Sequence, residues 1–147
     1  MPEARHFNLQ ELQPFQGLSS ERLNALVERS ELLAYSIGQP LASRRALPSV
    51  VQVLLEGQAR LIGSDGTKTF TVGKLQPGSL VGLASLLRAA PCEEVAASSP
   101  VTALAIPDEE FLRLYEEAPS LRSWCNSNLL PAEVHALTDR LVDQSDR

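Results

Sequence analysis

A chain of 147 residues that is 44% hydrophobic and 21% charged has the composition of one ordinary globular domain, which excludes a disordered or fibrous polymer and a second catalytic lobe. Its formal net charge is −5, and no Lys/Arg cluster is longer than Arg44-Arg45, so the basic footprint with which proteins track nucleic-acid phosphates is missing. No apolar run reaches the roughly 20 residues of a membrane span, and Met1-Pro2-Glu3-Ala4-Arg5-His6 lacks a signal peptide's apolar core. The expectation is a soluble cytoplasmic segment that contacts neither nucleic acid nor lipid directly and approaches a membrane only through the rest of a larger protein.

The first segment, about 7–31, is helical in pattern. Its clearest stretch is Ser19-Ser20-Glu21-Arg22-Leu23-Asn24-Ala25-Leu26-Val27, in which Leu23, Leu26 and Val27 share one face. Ser19 or Ser20 caps the first turn, Glu21 complements the positive helix end, and Leu18 staples onto Leu23.

From about 32 to 106 the period changes to that of strands. Leu32-Leu33-Ala34-Tyr35-Ser36-Ile37 is bounded by Gly38 and Pro40, and the stretch from Ser49 to Ile62 alternates with Val51, Val53 and Leu55 on one side. Asp65-Gly66 lies between Ala59-Arg60-Leu61-Ile62 and Lys68-Thr69-Phe70-Thr71-Val72 and is a strong hairpin signal. Glu94-Val95-Ala96-Ala97 and Val101-Thr102-Ala103-Leu104-Ala105-Ile106 are expected to pair through Ser98-Ser99-Pro100. Short strands with frequent Gly/Pro turns argue for a sandwich or rolled barrel.

Helices return over about 108–143. Asp108-Glu109-Glu110 places acids in a first turn, Phe111, Leu114 and Tyr115 form a face, and Pro119 interrupts the run. A last helix is expected from Pro131, presenting Val134, Leu137, Leu141 and Val142 to the barrel or to a second subunit. Asp143-Gln144-Ser145-Asp146-Arg147 reads as a polar linker, so the remaining domains of a longer polypeptide are the expected partners, together with a homodimer contact through the final helix.

The order helix, strands, helices is punctuated in a recognisable way. Phe15-Gln16-Gly17-Leu18-Ser19-Ser20-Glu21-Arg22-Leu23, Gly38-Gln39-Pro40-Leu41 and Val53-Leu54-Leu55-Glu56-Gly57-Gln58-Ala59-Arg60-Leu61 are followed by Asp65-Gly66 and Leu75-Gln76-Pro77-Gly78-Ser79-Leu80-Val81-Gly82-Leu83-Ala84-Ser85-Leu86-Leu87. This set resembles the cyclic-nucleotide-binding domain family over roughly 15–115. The resemblance implies a single mainly β domain with flanking helices, a jelly roll or double-stranded β-helix, and a non-catalytic regulatory role. Each glycine also has an architectural reading: Gly57 marks a bulge where strands cross closely, Gly78 after Pro77 suits a type II turn, and Gly82 opens a short helix.

In that family a cyclic phosphate rests on backbone N–H groups at the start of a short helix, and Gly82, Leu83, Ala84 and Ser85 supply the corresponding turn. The resemblance also implies an acid just after the second glycine, for the ribose 2′-hydroxyl, and an arginine several residues later for the phosphate. Leu83 stands at the first position, and the second falls on Pro91 or Cys92, followed by Glu93-Glu94; Arg88 is the local cation. The missing contacts are worth about 3 to 4 kcal/mol, a loss of more than about a hundredfold in affinity, and either acid facing the pocket would repel a phosphate further. The cassette is therefore read as degenerate, its candidate residues being Gly82, Leu83, Ala84, Ser85, Arg88 and Cys92, with no cofactor and with cyclic AMP or cyclic GMP binding weak or absent.

Other chemistry finds little support. His6 and His135 fall in the terminal segments, away from the strands where a barrel metal site would place them. Ser85 has no nucleophile-elbow context and Cys92 no neighbour to activate it. Cys92 and Cys125 lack metal-like spacing and read as reduced, buried thiols, and Trp124 reads as a helix-packing residue. Three functional settings stay open. The first is a regulatory or docking module at the front of a larger protein, where the extension from Leu121 to Val134 is similar to what precedes the peptidase and membrane parts of some bacterial toxin-secretion-type ABC exporters. The second is the sensor half of a catabolite-activator-type transcription regulator, and the third a ligand-free dimerisation module.

Overall fold

The computed structural model describes residues 9–43, 45–64, 67–89, 91 and 93–128. Arg44, Asp65-Gly66, Cys92 and the helix expected from Pro131 with its Val134, Leu137, Leu141 and Val142 face lie outside the described residues. The described residues begin with two 3₁₀ turns, Leu9–Glu11 and Gln13–Phe15, and helix α1, Ser20–Glu28. The expected helical segment is thus broken, because Pro14 and Gly17 punctuate it before Ser19. The Ser19 hydroxyl caps α1 by accepting from the Arg22 N–H at 3.3 Å, and Leu18, Leu23 and Leu26 are buried, as the cap and staple imply.

Eight strands follow among the described residues: β1 Glu31–Tyr35, β2 Pro40–Ala42, β3 Val50–Glu56, β4 Ala59–Ser64, β5 Thr69–Leu75, β6 Leu80–Val81, β7 Val95–Ala97 and β8 Val101–Pro107, with the short helix α2, Leu83–Arg88, between β6 and β7. They form two four-stranded sheets of order β1-β8-β3-β6 and β2-β7-β4-β5, antiparallel throughout. This is the expected jelly roll, mainly β with flanking helices. The β4–β5 hairpin across residues 65 and 66 forms in the register Ser64↔Thr69.

Two strand expectations are corrected. The stretch from Ser49 to Ile62 splits at Gly57, and Val51 to Leu55 are all buried instead of alternating. The cause is that β3 has no solvent face: one side looks into the roll, while α1 and the C-terminal helix α3, Asp108–Glu117, cover the outside of β8 and β3. The second concerns the strands on either side of Ser98-Ser99-Pro100, which do not pair with each other. β7 lies between β2 and β4, whereas β8 lies between β1 and β3 in the other sheet. The chain crosses between sheets there, and Gly57 lets the β3–β4 turn approach. Its φ is +89°, and a Cβ on it would stand 2.1 Å from the Pro100 carbonyl oxygen.

The core between the sheets is closed at the helical end by Phe15, Phe111 and Leu121, each 0% exposed. Pro119 both ends the run of α3 and starts a separate helix, α4, Pro119–Asn128, which packs on the Gln13–Phe15 turn and on α3. Trp124 on α4 is partly buried against the core, and its ring N–H donates to Gln13 Oε1 at 3.4 Å, the helix-packing role anticipated for it. Cys125 is fully buried, as expected of a small apolar residue.

Candidate ligand cassette and its internal carboxylate

The cassette is built on the segment that leaves β5 and enters α2. The Gln76–Ser79 turn closes with the Ser79 N–H on the Gln76 carbonyl at 2.9 Å, as the Pro77-Gly78 pair predicts, and exchanges bonds with Leu54 of β3 on both sides: Gly78 N–H to Leu54 O at 2.8 Å and Leu54 N–H to Ser79 O at 3.0 Å. After the two residues of β6 the chain reverses at Gly82, whose φ is +101°. A Cβ there would stand 2.8 Å from the Val50 carbonyl oxygen and 3.4 Å from Pro48 Cγ, so this corner requires glycine on both conformational and steric grounds.

Gly82 is the N-cap of α2 and has no side chain to offer, and the N-cap's usual acceptor is therefore missing. The acceptor comes from elsewhere in the chain. One carboxylate oxygen of Glu93 accepts the Gly82 N–H at 3.0 Å, while the other accepts both the Ser85 N–H and the Ser85 hydroxyl at 3.0 Å each. Glu93 is 4% exposed and Ser85 2%. A buried carboxylate is tolerated only when donors replace its water, and hydrogen bonds to an ionised acceptor are about twice as strong as neutral ones. The positive end of α2's peptide dipoles adds to them.

Of the candidate residues, the structure brings Gly82 and Ser85 to this point. Leu83 and Ala84 are fully buried in the core. The Arg88 side chain and Cys92 lie outside the described residues. The participant missing from the candidate set is Glu93, which the sequence marks only as an acid beside the expected arginine position. Its neighbour Glu94 is half-buried, and its carbonyl accepts the Ile62 N–H at 2.8 Å, so the pair of acids divides into an inward and a strand-bound member.

A second polar feature lies between the sheets. Gln52 on β3, 5% exposed, donates from its side-chain nitrogen to the Leu41 carbonyl of β2 at 2.9 Å and accepts from the Tyr35 hydroxyl of β1 at 2.6 Å. It ties the two sheets together and satisfies its own buried amide. Burial pushes the Tyr35 phenol above its ordinary value, partly offset by the bond to Gln52. Among the described residues no group of three or more His, Cys, Asp or Glu side chains is placed to hold a metal ion. No helix among them is long and apolar enough to cross a membrane.

The sequence model of the cyclic nucleotide-binding domain family matches residues 32–118. This chain belongs to that family. The match runs from β1 to the end of α3 and contains the whole cassette. Among solved structures, the domain is similar to the Thermus thermophilus catabolite activator protein, at 24% identity and a TM-score of 0.66 over 91% of this chain and 63% of that one. The regulatory domain of Toxoplasma gondii PKA with cAMP gives 18% identity and a TM-score of 0.72 over 81% of this chain and 46% of that one. The regulatory subunit of a cAMP-independent protein kinase A from Trypanosoma brucei gives 16% and 0.64 over 81% and 48%. The chain thus spans less than two thirds of the length of these three proteins. A comparison with curated proteins finds no match.

Proposed function

We propose that this domain is a non-catalytic regulatory or docking module whose cyclic-nucleotide cassette is degenerate, so that neither cyclic AMP nor cyclic GMP is its physiological ligand. The observation that carries the reading is Glu93. Its carboxylate takes the Gly82 and Ser85 donors on which a cyclic phosphate would otherwise rest, and two anions cannot share them. Leu83, fully buried and apolar, offers no acceptor to a ribose hydroxyl. The residues present therefore do not fit a cyclic nucleotide. A regulatory subunit of the same fold is described as belonging to a cAMP-independent kinase, which is compatible with such a domain serving regulation without that ligand.

Calorimetric titration with cyclic AMP and cyclic GMP tests the reading. Binding no tighter than about submillimolar is expected, from the lost contacts of about 3 to 4 kcal/mol; a dissociation constant near a micromolar would overturn it.

Two settings for the module remain in the proposal. Similarity to the catabolite activator protein over 91% of the chain favours the sensor half of a transcription regulator, while the Leu121-to-Val134 resemblance favours the cytoplasmic front of an ABC-type exporter. The residues following Arg147 in the full gene product discriminate them: a helix-turn-helix supports the first, a peptidase domain and membrane spans the second.

A further inference from the structure

Three donors, from Gly82 and from Ser85 in the first turn of α2, converge on one carboxylate, and that carboxylate belongs to the same chain. We propose that Glu93 is a built-in occupant of the cassette, an autoinhibitory anion that keeps the cradle closed to diffusing oxyanions until Glu93 itself is withdrawn. This deepens the reading above and rests on it for the identity of the cassette.

The chemistry of the donors is that of an oxyanion cradle: two backbone N–H groups and a hydroxyl, spaced so that both oxygens of a carboxylate are engaged. A phosphate would make the same bonds through two of its oxygens. Burial of Glu93 to 4% exposure means that nothing from solvent reaches the donors while it is in place. The tether gives it a further advantage. Glu93 follows Ser85 by eight residues, and a group held on a short chain competes at an effective concentration of about millimolar or more. A free anion with similar intrinsic affinity loses that competition at concentrations well below millimolar.

The latch is anchored at both ends. On one side Gly82 is pinned between Val50 and Pro48. On the other, the Ile62 N–H holds the Glu94 carbonyl at 2.8 Å and β7 begins at Val95. Withdrawal of Glu93 therefore requires it to move relative to Glu94, which is held on β4, and this links the state of the cassette to the sheet that carries β2, β7, β4 and β5. A plain helix cap would hold α2 in the same way but would exclude nothing, and the two roles separate experimentally.

The test follows the backbone amides of Gly82 and Ser85 by NMR in the wild type, Glu93→Gln, Glu93→Asp and Glu93→Ala. Relative to the wild type, Glu93→Gln should speed hydrogen exchange of these two amides about ten- to a hundredfold, the equivalent of losing one charge-assisted bond, and Glu93→Asp should fall between. Inorganic phosphate and cyclic AMP should shift the same two amides in Glu93→Ala at concentrations that leave the wild type unmoved. Unchanged exchange in Glu93→Gln would overturn the contact. An unresponsive Glu93→Ala would reduce Glu93 to a cap, and a responsive wild type would show the cradle open; either result overturns the proposal. Should Glu93→Ala fail to fold, Glu93→Gln, which removes the anion, carries the same titration under the same criteria. A micromolar wild-type affinity for cyclic AMP would overturn the functional reading, whereas unchanged exchange in Glu93→Gln would remove the latch and leave cyclic-nucleotide insensitivity standing on Leu83 and the missing arginine.

Discussion

Ser85 and Glu93 are joined twice, through the backbone N–H and through the hydroxyl of Ser85, to a single carboxylate oxygen at 3.0 Å. The double bond of contact lets the contributions be separated. Ser85→Ala removes the hydroxyl and keeps the amide, and should lower stability by about 1 to 2 kcal/mol. Chemical denaturation measures this, with an unchanged slope against denaturant showing that the fold is retained.

The corner before α2 is expected to reject any side chain. Gly82→Ala forces a Cβ onto a residue at φ +101° and to within 2.8 Å of the Val50 carbonyl oxygen. The cost should be about 2 kcal/mol or more, read as a lower denaturation midpoint and as altered amide shifts for Ser85. A tolerated alanine would mean that the cassette turn is not held as described.

Gln52 should matter more than its single side chain implies. Gln52→Leu removes the donor to Leu41 and the acceptor of Tyr35 together, and is expected to lower stability by about 2 kcal/mol, against about 1 for Tyr35→Phe, which deletes one bond. Equal losses in the two variants would argue that the Leu41 contact contributes nothing.

Alkaline pH should unfold this domain early. Burial pushes the Cys125 thiol from 9.0 up to about 12 and raises the Tyr35 phenol above 10.0. For both groups the unfolded chain loses its proton first, so their contribution is fully present below the unfolded values and is lost as pH rises. The melting temperature should fall between about pH 9 and 12, and Cys125→Ala should flatten that slope. A slope unaffected by the substitution would contradict the assignment.

The ion pairs between α1 and α3 should be nearly silent. Arg29 meets Glu110 at 2.7 Å, with side-chain exposures of 57% and 21%, and Arg22 meets Glu117 with both partners exposed. Solvent screens such pairs, so Arg29→Ala should change stability by less than about 1 kcal/mol in thermal or chemical unfolding. A larger loss would give the helix contact a weight that packing of Leu26 and Leu114 does not explain.

The architecture was legible because its signals are local. Ser19 caps, Pro77-Gly78 turns, and the hairpin around residues 65 and 66 needs only its own neighbours. What the period missed was tertiary. Alternation around Val51, Val53 and Leu55 describes a strand with one wet face, and β3 loses that face to α3, a helix that follows it by more than 50 residues. Likewise, Ser98-Ser99-Pro100 looks like a hairpin turn in sequence, and only the closure of the roll decides that it passes between sheets. At the site, Leu83 and the Pro91-Cys92 pair are legible as departures from the pattern that the family resemblance implies. Glu93 was visible only as negative charge, from which repulsion follows. That the charge is held by Gly82 and Ser85 depends on where β7 begins and how α2 is aimed, neither of which a charge count contains.

The bond between Glu93 and Ser85 can be observed directly through the scalar coupling that a hydrogen bond transmits from amide nitrogen to acceptor carbon. A correlation from the Ser85 amide nitrogen to the Glu93 side-chain carboxyl carbon is expected, of similar strength to that from Leu54 to Ser79, which spans the same 3.0 Å. Its absence, in a spectrum where the Leu54 correlation is present, would contradict the claim that this cassette is filled from within.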